Sequence, residues 1–181
     1  KWLEVFPDFT MNINLSFVQI LKSDILKDVL DCVDYHGISH EHIVFEATES
    51  GELENNSTVK NVLVSFNDNC FRLAIDDFGT GYSSLSYLQK LPLNTLKIDK
   101  SFISNITSND GVQANITSSI IKMVDNMGLE TIAEGVENEA QLHLLKDFNC
   151  NIVQGFHSGK PMPLELCNEF LAGDMSALIT I

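Results

Sequence analysis

Short apolar, β-rich runs alternate with longer amphipathic stretches along the whole chain. The runs FTMNINL (9–15), HIVFEAT (42–48), FRLAID (71–76), NTLKID (94–99), ETIAEG (130–135) and NIVQGF (151–156) read as strands. The intervening segments 16–37, 55–69, 83–91, 111–128, 138–148 and 164–173 carry apolar residues at helical spacing. Gly37 and Gly128 stand where helices are expected to stop. Regular strand–helix alternation is the signature of parallel βαβ units.

Six such units in 181 residues leave about 30 residues for each, whereas a closed eightfold barrel takes about 250 residues in all. A doubly wound open sheet can stop at six strands, but its polar residues then gather at one switch point. Here almost every strand has a polar or charged residue near its C-terminal end: Asn14, Glu46, Asp76, Lys97, Glu134 and Gln154. Groups donated by the tops of many strands describe a barrel active site. The expected fold is therefore α/β, an incomplete TIM-like (β/α) barrel with six of eight strand–helix units. It is expected to form one domain over residues 1–181, truncated at its N-terminal side.

Period-two alternation sharpens this picture. Asn12 and Asn14 share one face of the first strand while Met11, Ile13 and Leu15 share the other, and Thr95, Lys97 and Asp99 alternate with Leu96 and Ile98. The apolar faces are expected to pack on a helical ring and the polar faces to line the barrel mouth.

Composition changes the range of partners. Against 25 Asp plus Glu stand 11 Lys plus Arg, a formal charge of −14, so the long-range field repels phosphate and argues against nucleic-acid polymers and anionic membrane surfaces. Any anionic ligand must meet a local cation. No apolar run approaches the roughly 18 residues of a membrane span, and KWLEVFPDF lacks the regions of a signal peptide. Cys32, Cys70, Cys150 and Cys167 form no CxxC pair and read as reduced, mostly buried thiols, which suits a reducing cytosol. His40 and His42 read as solvent-exposed, Asp8 and the acidic run outside Glu46 and Glu49 as surface charge, and His157 as a weak ligand contact.

Asn14, Glu46 and Asp76 offer hard oxygen donors, the set that Mg²⁺ or Mn²⁺ prefers. Asp77 adds a carboxylate beside Asp76, so that one acid can bridge two cations while the other binds one. Such a pair of cations, held about 3.5–4 Å apart, activates water and stabilises both oxygens of an in-line phosphoryl displacement. Lys97 supplies the local cation. Glu134 can ligate through water or take a proton, and Glu137 can reach the same mouth. Gly79 and Gly81 follow the paired aspartates and let the segment turn and move. DFG also occurs in protein kinases, but GxGxxG and an HRD-type loop are both missing.

In order and spacing, NINLS, EATES, DDFGTGYSSLSYL, LKIDKSFI, TIAEGVE and QGFHSGKPMP closely resemble the EAL-domain family of cyclic di-GMP phosphodiesterases, from about Phe9 to Pro163. The resemblance implies a TIM-like barrel that opens cyclic di-GMP to linear pGpG with two Mg²⁺ or Mn²⁺ ions. It implies metal ligands at Asn14, Glu46, Asp76 and Asp77, with Glu49 holding the loop after the aspartates. It implies Lys97, Glu134 and Glu137 around the nucleophilic water, with Gln154, Asp99 and Phe156 on the substrate. It further implies a homodimer through Phe78 to Lys90 and an upstream sensor or GGDEF domain in the parent protein.

Departures from the family pattern are Ala47, where Leu or Ile is usual, Phe156 in place of tyrosine, and the missing Glu-Ala-Leu itself, which belongs to a strand before NINLS. One metal ligand is therefore expected to be lacking, with hydrolysis by this piece weak or nil. Two other functions remain open: a non-catalytic cyclic di-GMP receptor acting through protein contacts, and an oligomer formed by pairing of exposed strand edges. Intact motif residues favour the enzyme.

Overall fold

A computed structural model describes residues 2–22, 24–49, 56–81, 85–108 and 110–172. Two compact units follow one another, Lys1–Leu96 and Lys97–Ile181. All six expected strands are present, each slightly shorter or shifted at its ends.

The first unit contains α1 (Trp2–Val5), β1 (Met11–Asn14), α2 (Phe17–Lys22), α3 (Ile25–His36), a 3₁₀ turn at His40–His42, β2 (Ile43–Thr48), α4 (Ser57–Asp68), β3 (Arg72–Phe78) and α5 (Leu85–Leu88). β1 pairs with β2, and β2 with β3, all parallel. The single helix expected over 16–37 is two helices, with Asp24 at the start of α3. Ser and Asp compete for backbone hydrogen bonds and favour helix ends over helix interiors. At the other end Gly37 takes the left-handed conformation (φ 63°) and donates to Asp34 and Val33, closing α3 as expected.

α4 begins where Asn56 Oδ1 accepts from the N–H groups of Thr58 and Val59, satisfying two of the donors that a helix start leaves over. Its Val59, Leu63 and Phe66 recur at i, i+4 and i+7, and all three are buried. They pack with Phe45 and Phe71, whose rings lie 4.6 and 5.6 Å from Phe66. Each fully buried side chain of this kind contributes about 1.5–3 kcal/mol.

The second unit contains α6 (Lys100–Ile103), α7 (Val112–Asn126), β5 (Glu130–Glu134), α8 (Glu139–Asp147), β6 (Ile152–Gln154) and α9 (Leu164–Ala172), while β4 (Thr95–Ile98) spans the division. β5 and β6 pair in parallel. α7 buries Thr117, Ile121 and Val124, and the Thr117 hydroxyl donates to the carbonyls of Phe102 and Gln113. α8 opens with a capping box, in which Asn138 accepts from Gln141 N and Gln141 Oε1 accepts from Asn138 N.

All four residues of β4 are buried, the polar Thr95 and Lys97 included. Three expectations need correction. Met11 and Ile13 are 38% and 41% exposed, so the apolar face of β1 is only partly covered. Among the thiols only Cys150 is buried: Cys32 lies on the solvent side of α3, and Cys70 occupies an exposed tight turn with φ 63°. His40 and His42 are half-buried structural groups. His40 stacks on Phe71 at 4.5 Å and bonds through Nδ1 to the Asn69 carbonyl, and His42 bonds to the Phe9 carbonyl. Among the described residues no helix is long and apolar enough to cross a membrane.

Candidate functional site

In the first unit, parallel register sets Asn14 opposite Glu46 and Thr48 opposite Asp76. Paired residues of parallel strands point to the same side, and Glu46 and Thr48 are two apart, so Asn14, Glu46, Thr48 and Asp76 share one sheet face. Asn14, Glu46 and Thr48 line a cavity of about 570 Å³ together with Leu15 and the start of α2. Glu46 is 5% exposed, although it is a carboxylate. Asn12 Nδ2 donates to its Oε1 at 2.7 Å. No role was read for Asn12 from the sequence; its only signal there is the shared strand face with Asn14.

β3 ends on the paired aspartates. Asp77 has φ 55°, a left-handed conformation that Asp tolerates better than most residues, and its N–H donates to Asp76 Oδ1 at 3.0 Å. This breaks the strand alternation at the point where two acids follow one another. Glu49 Oε2 accepts from Gly79 N at 2.6 Å, tying the residue after β2 to the turn after β3. The Phe78 to Lys90 segment expected to make dimer contacts includes residues 82–84, which lie outside the described residues.

In the second unit Lys97 is 3% exposed and its Nζ lies 2.7 Å from Glu134 Oε1. A buried ammonium and a half-buried carboxylate 37 positions apart in sequence thus meet at adjacent strand ends. Asp99 caps α6, with Oδ1 accepting from Ser101 N at 2.9 Å. Burial raises its pKa, but hydrogen bonds from Ser101 and Lys100 and the nearby Lys100 charge outweigh burial and hold the carboxyl below its ordinary value. Glu137 is exposed, and its N–H donates to Gln141 Oε1.

Gln154 and Phe156 are exposed on either side of Gly155, and Lys160 Nζ lies 5.5 Å from the Phe156 ring centre. Gly155 leaves no choice of residue: a Cβ would fall on the Val136 backbone, with the carbonyl carbon 2.7 Å away. His157 Nε2 lies 3.3 Å from Glu139 Oε2, which ties the segment after β6 to α8.

The chemistry of the first unit fits a hard divalent cation. Its cavity is lined by the Asn14 amide and the buried Glu46 carboxylate, paired across the strands, and two further carboxylates stand near the end of β3; among the described residues no thiol or imidazole lines that cavity. A family model for the EAL domain matches residues 1–161. The chain belongs to the EAL domain family.

One EAL relative is the bifunctional diguanylate cyclase/cyclic di-GMP phosphodiesterase MucR of Pseudomonas aeruginosa, 37% identical over 165 residues, which make up 91% of this chain and 24% of MucR. A solved MucR phosphodiesterase in complex with c-di-GMP superposes with a TM-score of 0.84 at 36% identity, over 92% of this chain and 67% of that one. Klebsiella pneumoniae BlrP1, solved with manganese and c-di-GMP, gives a TM-score of 0.76 at 25% identity, over 86% of this chain and 40% of that one. The chain spans about a fifth to a quarter of the length of the curated relatives it matches. Its fold is that of the EAL domains: α/β, an incomplete TIM-like barrel with six strands among the described residues.

Proposed function

We propose that this chain is the phosphodiesterase module of a bacterial, cytoplasmic cyclic di-GMP signalling protein and that it opens cyclic di-GMP to linear pGpG. The observation that carries this reading is the opposed pair Asn14 and Glu46 in the cavity of the first unit, in an EAL chain 37% identical to a named phosphodiesterase. In this reading Asn14, Glu46, Asp76 and Asp77 hold two Mg²⁺ or Mn²⁺ ions. Bound divalent cations lower the pKa of water and screen the charge of a phosphodiester.

The remaining steps fall to the chain's own groups. Glu134 accepts a proton from the attacking water, whose oxygen forms the new bond to phosphorus as the bond to the 3′ oxygen breaks; that oxygen takes up a proton from solvent, and Glu134 later returns its own to solvent. Lys97 offsets the negative charge that builds on the phosphoryl oxygens, and Glu137 assists from the segment after β5. Gln154, Asp99 and Phe156 contact the nucleotide. Glu49, through Gly79, holds the turn after β3 in place for Asp76 and Asp77. We assign homodimer contacts to Phe78 to Lys90 and regulation to an upstream sensor or GGDEF domain of the parent.

The 181 residues contain no Glu-Ala-Leu tripeptide, so the chain alone is expected to turn over slowly. Chromatography of cyclic di-GMP incubated with Mn²⁺ tests the reading. A protein in which a Glu-Ala-Leu-bearing segment precedes this chain is expected to yield pGpG, and Glu134→Gln to abolish it. Cyclic di-GMP binding with no pGpG from the longer protein contradicts the enzyme and favours the receptor.

A further inference from the structure

Glu46 is a buried acid held by Asn12 and by other interactions as well. It is 5% exposed, and nothing in its own backbone fixes the two outer torsions of its side chain. Asn12, two residues before Asn14 on the same face of β1, reaches across to β2 and donates from Nδ2 to Glu46 Oε1 at 2.7 Å. In this contact Nδ2 is the donor and the carboxylate oxygen the acceptor.

We propose that Asn12 is a positioning residue for the divalent cation: it sets the carboxylate plane of Glu46 toward the cavity that Glu46 and Asn14 line. This rests on the reading of Glu46 as a metal ligand. Asn12 itself does not line that cavity, and its partner across the sheet is Val44, not Glu46, so its amide acts through Glu46 rather than as a ligand of its own. Groups that orient metal ligands typically change metal affinity about 10–100-fold when removed.

Mn²⁺ binding to the 181-residue chain, followed by electron paramagnetic resonance of the unbound ion, provides a readout independent of turnover. Asn12→Ala and Asn12→Leu, the second close to Asn in shape but without a donor, are both expected to weaken Mn²⁺ binding about tenfold or more, with far-UV circular dichroism and melting temperature close to the parent. Glu46→Gln is expected to weaken it further, and Asn12→Ala added to Glu46→Gln is expected to cost nothing more, because the amide acts through that carboxylate. An Asn12→Ala effect that persists undiminished in the Glu46→Gln background overturns the proposal, as does Mn²⁺ affinity unchanged by Asn12→Ala while Glu46→Gln is impaired. Unchanged affinity in Glu46→Gln overturns the metal-ligand reading, and this inference with it.

Discussion

Replacing Lys97 by Met removes a buried charge while keeping most of the volume of the lysine stem. Its Nζ lies 2.7 Å from Glu134 Oε1, in side chains that are 3% and 16% exposed. At that separation the attraction is about 6 kcal/mol at an effective dielectric of about 20. That offsets the several kcal/mol that each ion loses on leaving water. Lys97→Met leaves the Glu134 carboxylate half-buried without its ammonium. Breaking such a pair from one side costs about 3–5 kcal/mol, and because Glu134 has other interactions as well, the expected loss is at the lower end.

For a chain of this size about 3 kcal/mol lowers the melting temperature by about 6–12 °C. Urea unfolding by far-UV circular dichroism of Lys97→Met, Glu134→Gln and the double variant measures it. The double variant is expected to recover part of the loss, because it leaves neither charge unpaired. A Lys97→Met variant within about 1 kcal/mol of the parent, the range of exposed ion pairs, or strictly additive single effects, refutes the assignment of a buried, coupled pair.

Two further outcomes are expected from the second unit. Gly155→Ala drives a Cβ into the Val136 backbone, which cannot rotate away, so it should destabilise by about 1–3 kcal/mol or more in the same unfolding assay; an unaffected variant contradicts that close approach. Asp99 has its carboxyl held below its ordinary value in the folded state, so its stabilising effect is full above the unfolded pKa and disappears as pH falls through the folded one. Asp99→Asn keeps a capping oxygen but not the charge. Its stability deficit is expected to be present at neutral pH and to close as pH drops below about 4, and a deficit independent of pH counts against the assignment.

The strand–helix alternation was legible because β-branched runs such as HIVFEAT and FRLAID are bounded by polar turns, and all six strands lie where those runs occur. Boundaries were less so. The expected helix at 16–37 is divided before α3, whose N-cap is Asp24, a local break that apolar periodicity does not register. The exposure of Met11 and Ile13 could not be read from alternation, which tells which residues share a face but not what covers that face.

In the candidate site, period two and strand register together set Asn14, Glu46 and Asp76 on one face; the strand ends alone show only that each is a polar residue at a strand's C-terminal end. Contacts between distant positions do not follow from them. That Lys97 meets Glu134, that Asn12 holds Glu46, and that His40 lies on Phe71 depend on which strands and turns become neighbours and on the rotamers adopted there. The capping box at Asn138 and Gln141 is a local feature that the apolar pattern did not reveal.

Anomalous diffraction at the manganese edge, from crystals of this chain soaked in Mn²⁺, addresses the metal ligands most directly. The expected result is a peak within coordination distance, about 2.0–2.4 Å, of oxygens from Asn14, Glu46 and Asp76. Well-ordered Mn²⁺ held only by other residues, with those three oxygens uncoordinated, would contradict it.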